Sequence, residues 1–412
     1  MLNIDNPQEL ERLYRNNKSA FTKEFEEIYP DFQDHISMQI WYERLYFERK
    51  ESNDISWGKT HDLLFVLIAS FFSGLVAKIP KLVSIDSEFF YERNTAFIVL
   101  PFLMGYFIFQ NKPPLKYVLV ICSTVLISLL YINMLPHNDS SDSIFLASIH
   151  LPLFLWSVTG LTYTGSDWKN NEKRLGFLRF NGDLVVLTTI ILIGGGLLMA
   201  ITLGLFNLIH VNIEKFYMNY VVVWGLAASP IVATYLIRMN PQLVNKVSPV
   251  IAKVFTPLVL ITLVFYILAV FISGNSPYDN REFLLIFNFL LLGVMAIILF
   301  SVAATSKESY GKLGLIPLLL LSLATIVVNI IALSAIVMRI VEWGFSPNKI
   351  AVLGGNILIL THLCQVTFQI FKSLQRSNSI DMIEEYIAKF LPFYCAWALI
   401  VSFFFPFIFG FR

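Results

Sequence analysis

Eleven long apolar stretches constrain the fold of this chain more than any other feature. A helix that crosses a bilayer needs about 20 mostly apolar residues, because the lipid core is about 30 Å thick and each residue rises about 1.5 Å. Strands with open edges would leave backbone groups without hydrogen bonds in lipid, and the runs lack the alternation of a membrane β-barrel. The sequence therefore predicts an all-α transmembrane bundle with spans near residues 63–79, 95–110, 116–135, 143–163, 184–209, 216–237, 251–273, 283–304, 314–338, 348–371 and 388–410.

The charged residues predict a division into two parts. Only 14% of the residues are charged against 56% hydrophobic, which excludes an ordinary soluble protein, and the net charge of +1 excludes a polybasic nucleic-acid binder. Residues 1–61 nevertheless hold 8 basic and 12 acidic side chains. We therefore expect a polar helical head in residues 1–60, followed by a membrane domain in residues 61–412.

The loop charges predict the orientation. The first residues lack the basic and apolar regions of a secretory signal, so we expect the head in the cytoplasm. With eleven spans and that orientation, 14 basic residues lie at the cytoplasmic ends of the spans and 8 at the outer ends. The positive-inside rule then predicts a multi-pass inner-membrane protein with its N-terminus inside and its C-terminus outside.

The head shows the pattern of a helical hairpin. Asn6-Pro7 is typical of a helix start, Tyr29-Pro30 ends that helix, and Asp31 is expected to cap a second helix that runs to about Lys50. The expected apolar stripe of the second helix consists of Phe32, Ile36, Ile40 and Leu45. Two interpretations stay open: the head packs on its own membrane domain, or it docks a cytoplasmic protein partner.

The longest expected connection, residues 164–183, mixes aromatic and basic side chains. Trp168, Phe177 and Phe180 alternate there with Lys173 and Arg174. This mixture is typical of segments that contact the anionic lipid surface of the cytoplasmic leaflet.

Uncharged polar residues cluster in the predicted spans eight, nine and ten. His362, Gln365 and Gln369 follow spacings of three and four, which place them on one helix face. One interpretation is a polar path through the membrane, and the other is hydrogen bonding that holds packed helices together. The residues of the candidate path are Asn288, Ser322, Thr325, Asn329, His362, Gln365 and Gln369.

A second candidate site lies in the expected outer loop before span eight. Asp279, Arg281 and Glu282 form either a ligand-binding group or a solvated loop with weak ion pairs. The sequence carries no HExxH, GxxxxGK[ST] or GxSxG motif, and we predict no metal site, cofactor or catalytic residue. No acidic or basic residue lies near the middle of a predicted span, which argues against an ion-coupled pump.

Four segments resemble a bacterial multi-span membrane family known as domain of unknown function, family 4153. They are FLRFNGDLVVLT, RMNPQLVNKVSP, NREFLLIFNFLLLGVMAIILFSV and RIVEWGFSPNKIAVL, within roughly residues 60–375. Where the family pattern leads us to expect Thr-Pro-x-Arg, this chain has Ser346, Pro347, Asn348 and Lys349. The residues themselves predict that Ser346 caps span ten and that Pro347 is its first helical residue. The resemblance implies a polytopic bacterial inner-membrane protein and supplies no activity.

Three functions follow as hypotheses. The first is a carrier or binder of a small molecule or lipid that uses the polar path without ion coupling. The second is a membrane scaffold or sensor that recruits a cytoplasmic partner through residues 1–60. The third is a membrane enzyme that acts on lipid with the help of His362.

Overall fold

The computed structural model divides the chain into two compact units, Met1–Trp57 and Gly58–Arg412. All regular structure in the described residues is helical, as the apolar patterns predict. The described residues are 6–16, 18–50, 60–138, 140–165, 167–208, 212–240, 256–257, 259–261, 263–264, 268, 288, 291–299, 302, 312–375 and 381–412.

The first unit contains helices α1 (Pro7–Asn16), α2 (Lys18–Ile28) and α3 (Ile36–Lys50), with a 3-10 turn at Tyr29–Asp31. The predicted start at Asn6 is confirmed, since the Glu9 backbone N–H donates to Asn6 Oδ1 over 3.2 Å. The predicted cap at Asp31 is wrong. Asp31 is the last residue of the 3-10 turn Tyr29–Asp31, and α3 starts five residues later, at Ile36.

Aromatic side chains decide which face of α3 is buried. Met38 and Trp41 are 3% and 6% exposed, whereas Ile36 and Ile40 are 71% and 62% exposed. The predicted apolar stripe is therefore wrong at both isoleucines. The Trp41 ring lies 4.8 Å from the ring of Phe21, and this large contact turns the isoleucines outward.

The second unit begins with a series of long helices. Their bounds are α4 (Thr60–Val83), α5 (Ser87–Asn111), α6 (Leu115–Met134), α7 (Asp142–Thr164), α8 (Asn171–Leu208), α9 (Glu214–Met239), α10 (Lys312–Trp343), α11 (Pro347–Gln375), α12 (Asp381–Phe403) and α13 (Phe405–Ile408). A π-helical stretch at Tyr217–Val222 lies inside α9. The predicted cap of α11 is confirmed, because the Lys349 backbone N–H donates to Ser346 Oγ over 3.4 Å.

Eight helices of the described residues are long and apolar enough to cross a membrane, which fits a multi-pass membrane protein. They are α4, α6, α7, α8 up to Ala200, α9, α10 from Leu315, α11 and α12 from Met382. The predicted span 95–110 is helical in α5, but α5 is not among the eight because polar residues such as Asn94 and Gln110 flank its apolar middle. The predicted span 251–273 lies largely outside the described residues, and about half of the predicted span 283–304 lies outside them.

The connection between α7 and α8 is shorter than predicted. Helix α8 begins at Asn171, where Asn170 Oδ1 accepts from the backbone N–H of Glu172 over 2.9 Å. Phe177 and Phe180 are each 4% exposed and pack in the bundle. The lipid-surface prediction is therefore wrong for these two rings, because they lie on the inner face of a helix and not in a loop.

Close helix contacts hold the second unit together. Helix α10 packs along α11, α4 along α9, and α7 lies against both α5 and α12. A Cβ atom on Gly74 would lie 2.0 Å from the Trp224 ring, so α4 and α9 approach more closely than a larger residue at position 74 allows. Large apolar side chains of α6 and α8 point outward, as expected of surfaces that face lipid.

Arg93 links α5 to the end of α6. Its side chain is buried, and its Nη1 donates to the carbonyl oxygens of Ile132 and Leu135 over 2.9 and 2.8 Å. Its Nη2 donates to the carbonyl oxygen of Pro136 over 2.8 Å. One guanidinium thus satisfies the carbonyl groups that a helix C-terminus leaves without partners.

Candidate functional site

The predicted polar path draws on two helices and one further residue. Helix α10 carries Ser322, Thr325 and Asn329, α11 carries His362, Gln365 and Gln369, and Asn288 lies outside both helices. Asn329 and His362 are 0% exposed and Gln369 is 5% exposed, whereas Gln365 and Asn288 are partly exposed. Burial of this many polar groups among apolar helices requires hydrogen-bond partners for each. Their partners therefore show what the cluster can do.

Three amides join α10, α11 and the segment around Asn288. The Asn356 Nδ2 donates to Asn288 Oδ1 over 2.9 Å, and the Asn329 Nδ2 donates to the Asn356 carbonyl oxygen over 3.2 Å. Sequence reasoning missed Asn356, although it is an amide within an apolar run next to Gly355. The arrangement supports the helix-packing interpretation for these amides.

The two hydroxyl groups of the path bond within their own helix. Ser322 Oγ donates to the Leu319 carbonyl oxygen over 2.8 Å, and Thr325 Oγ1 donates to the Leu321 carbonyl oxygen over 2.6 Å. Such bonds satisfy a buried hydroxyl group without a second helix. These two side chains can accept a further hydrogen bond, because a hydroxyl oxygen carries two lone pairs.

His362 contacts α12 and not the amides. Its Nδ1 lies 3.1 Å from the Tyr394 hydroxyl group, and its ring stacks on Phe390 with centroids 4.4 Å apart. Phe390 and Tyr394 are four residues apart on α12, so both face the histidine. Sequence reasoning missed Tyr394; its one signal is a hydroxyl-bearing ring among the aromatic residues of the last span.

Two buried polar atoms of the path have no hydrogen-bond partner among the described residues. They are Asn329 Oδ1 and His362 Nε2. A buried unpaired polar atom costs about 1–3 kcal/mol, and such atoms are uncommon in native structures. Asn329 therefore keeps an unused amide acceptor and His362 an unused imidazole nitrogen.

A second histidine of the membrane helices, His150, and the candidate outer-loop group add no further binding site among the described residues. His150 Nδ1 bonds to the Leu146 carbonyl oxygen of its own helix over 2.9 Å. Asp279, Arg281 and Glu282 lie outside the described residues. Within the described ranges, no group of three His, Cys, Asp or Glu residues is placed to hold a metal ion.

The chemistry of the path is uncharged. It contains amides, hydroxyl groups and one imidazole, and none of its residues is a carboxylate, lysine or arginine. Such groups bind and orient a polar molecule by hydrogen bonds, whereas transport coupled to protons or sodium commonly relies on a carboxylate in the membrane.

Comparisons with known proteins supply no family. No family model, no curated protein and no solved structure matches the chain. The resemblance to family 4153 therefore stays a prediction.

Proposed function

We propose that the chain is an inner-membrane protein that binds a small polar molecule or a lipid in the path of α10 and α11, as a binder or carrier without ion coupling. The proposed topology has eleven spans, with the N-terminus in the cytoplasm and the C-terminus outside. A reporter enzyme fused after Arg412 tests this topology, since activity restricted to the cytoplasm would contradict an odd number of spans.

The unpaired Asn329 Oδ1 and His362 Nε2 atoms carry the binding proposal. Both side chains are 0% exposed, so bulk solvent does not reach them. Helix packing accounts for the amide bridge through Asn356 and for the bond between His362 and Tyr394. It leaves these two atoms without a role, and a ligand that carries both a donor and an acceptor would satisfy them.

Native mass spectrometry of the gently solubilised protein tests the proposal. We expect a retained molecule in the unaltered chain and its loss when His362, Gln365 and Gln369 are all replaced by leucine. Thr361→Val is the matched control, because Thr361 is exposed on the same helix and bonds only to the Ile357 carbonyl oxygen of its own helix. The control variant should retain the molecule.

Two results would contradict the binding proposal. One is a retained mass that is the same in the triple variant and the unaltered chain. The other is the absence of any retained molecule while the triple variant is at least as stable as the unaltered chain. Either result leaves helix packing as the whole role of the polar residues.

A second candidate function follows from the exposed isoleucines of α3. Ile36 and Ile40 lie one turn apart, and both point away from the aromatic core of the head. Adjacent exposed apolar residues on a helix are typical of helix-mediated docking. If the head recruits a protein, Ile36→Glu combined with Ile40→Glu should release that protein, whereas retention of the protein by the double variant would exclude this face.

A further inference from the structure

A groove separate from the polar path lies between α7, α8 and α12, with Tyr117 of α6 at its edge. Its volume is about 360 Å³, within the range of sites that bind small molecules. Trp156, Phe177 and Leu391 give it apolar walls. Gly160 also lines the groove. The Phe177 ring packs closely against it, since a Cβ atom on residue 160 would lie 2.9 Å from that ring.

The groove follows α7 away from the C-terminal end of that helix. Thr164, the last residue of α7, lies at one end of the groove, its mouth, and Ser157 lies at the other, its inner end, beside Cys395. These two positions of α7 are seven residues apart, which corresponds to roughly 10 Å along a helix. The groove therefore covers about two helical turns of α7.

Arg174 lies at the mouth of the groove and has no carboxylate partner among the described residues. Its Nε donates to the Trp168 carbonyl oxygen over 2.7 Å, and its Nη1 donates to the Ala388 carbonyl oxygen over 3.4 Å. The guanidinium also lies 5.9 Å from the centroid of the Trp168 ring. Two carbonyl groups and one ring orient this cation, but none of them neutralises it.

The neighbouring cations differ from Arg174. Lys173 forms an ion pair with Asp167 over 2.6 Å, and Arg179 forms one with Glu384 over 2.9 Å. Arg174 lies between them in the sequence and is partly buried, yet no carboxylate in the described part of the chain pairs with it. A partly buried cation is stabilised by an anion within reach, and a guanidinium binds phosphate oxygens in a bidentate manner.

We propose that this groove binds one anionic phospholipid, with its phosphate on Arg174 and an acyl chain along Phe177 and Leu391 toward Ser157. The positive mouth matches a phosphate, the apolar walls match hydrocarbon, and Trp168 matches the aromatic residues found at membrane boundaries. On α12 the groove is lined by Leu391, Pro392 and Cys395, whereas the polar path contacts Phe390 and Tyr394, so the two sites use different side chains.

Lipid titration of the delipidated full chain in detergent tests the site. Dioleoyl phosphatidylglycerol and dioleoyl phosphatidylcholine are added separately, and native mass spectrometry gives the Kd of the first bound lipid. We expect tighter binding of phosphatidylglycerol. Arg174→Gln should weaken that binding about tenfold and weaken phosphatidylcholine binding less, because the choline cation of phosphatidylcholine already offsets the charge of its own phosphate.

Three further variants separate the contributions of charge, apolar contact and guanidinium geometry. Lys169→Gln removes the same charge from an exposed residue of the same connection and should change neither Kd by more than about twofold. Ser157→Trp fills the inner end of the groove, leaves Arg174 in place and should weaken binding of both lipids. Arg174→Lys keeps the charge without the guanidinium fork and should give an intermediate loss.

Three outcomes would overturn the proposal. Equal affinity for the two lipids would indicate lipids bound unselectively around the bundle. An equal loss in Lys169→Gln and Arg174→Gln would indicate a general surface charge effect. Displacement of phosphatidylglycerol by an equal concentration of inorganic phosphate would indicate a phosphate site in which the groove takes no part. Should Arg174→Gln not fold, unchanged binding in Ser157→Trp and Arg174→Lys would overturn it as well.

Discussion

Replacement of Gly354 by alanine tests a close contact between α11 and α12. A Cβ atom on Gly354 would lie 2.0 Å from Cζ2 and 2.2 Å from Cη2 of Trp397. Ordinary contacts begin at 3.4 Å, so the ring would have to move by about 1.4 Å, the difference between 3.4 and 2.0 Å. The same helix pair carries the bond between His362 and Tyr394, which makes this contact relevant to the polar path.

The expected cost follows from two opposing effects. The Trp397 ring packs edge-on against Phe405, with centroids 6.1 Å apart, so it moves only with its surroundings. Overpacking of this kind costs about 1–3 kcal/mol. Alanine in place of glycine also favours the helix by about 1 kcal/mol. The second effect is common to any helical glycine, and a matched control removes it.

Gly195→Ala is that control, because Gly195 lies in α8 with no atom within 4 Å of an added Cβ. We expect Gly354→Ala to be less stable than Gly195→Ala by about 1–3 kcal/mol. The free energy of unfolding is measured by titration with sodium dodecyl sulfate in mixed micelles, followed by tryptophan fluorescence. Trp397→Leu should remove most of the penalty of Gly354→Ala, which a double-mutant cycle measures as a coupling energy.

Equal free energies of unfolding in Gly354→Ala and Gly195→Ala would refute the close approach of α11 and α12. A penalty that persists unchanged in the Trp397→Leu background would refute the assignment of the contact to that ring. The first result would mean that these helices are farther apart near position 354 than the structure gives, and the second that another side chain supplies the contact.

Two more predictions concern charged residues. Arg93→Gln should lower the free energy of unfolding by at least about 1–3 kcal/mol, because buried carbonyl groups at the end of α6 lose their donor. Arg93→Lys should recover part of this in the same titration, and an unaltered stability in Arg93→Gln would contradict the capping role. In the head, the hydrogen bond from Arg15, with the charge of Arg44, lowers the pKa of Glu11 below its ordinary value of 4.5. Glu11 therefore stabilises the head above about pH 4.5, and this stabilisation is lost as the pH falls through the lowered pKa. At neutral pH, amide hydrogen exchange of the head should be slower in the unaltered chain than in Glu11→Gln. This difference, compared at matched pH, should vanish in acid. A difference that does not change with pH would contradict the prediction.

Local patterns predicted part of the structure well. The long apolar runs predicted helices, and the caps at Asn6 and Ser346 predicted where α1 and α11 begin, because these signals depend on neighbouring residues alone. The predicted span 184–209 placed the start of this helix too late, because α8 begins at Asn171. Its first turns mix basic and aromatic residues, a composition that is also typical of a loop at the lipid surface. Only the packing of the aromatic face distinguishes the two.

The sequence missed several partners in the candidate site. The spacing of His362, Gln365 and Gln369 placed them on one helix face, but spacing does not reveal which helix that face meets. His362 meets Tyr394, 32 residues later, and Asn329 meets Asn356 across another interface. These pairings depend on how the helices pack, and in a membrane many polar pairings have similar energies.

The sequence by itself determined that the chain is helical, that it is apolar enough to lie in a membrane and that its spans lack central charges. These properties follow from the cost of exposing backbone and charged groups to lipid, which composition and run length report directly. The tertiary structure decided which cations are neutralised. Lys173, Arg174 and Arg179 look alike in sequence, yet Arg174 lies at an apolar groove and, among the described residues, has no carboxylate partner, because an ion pair depends on which side chains the fold brings into reach.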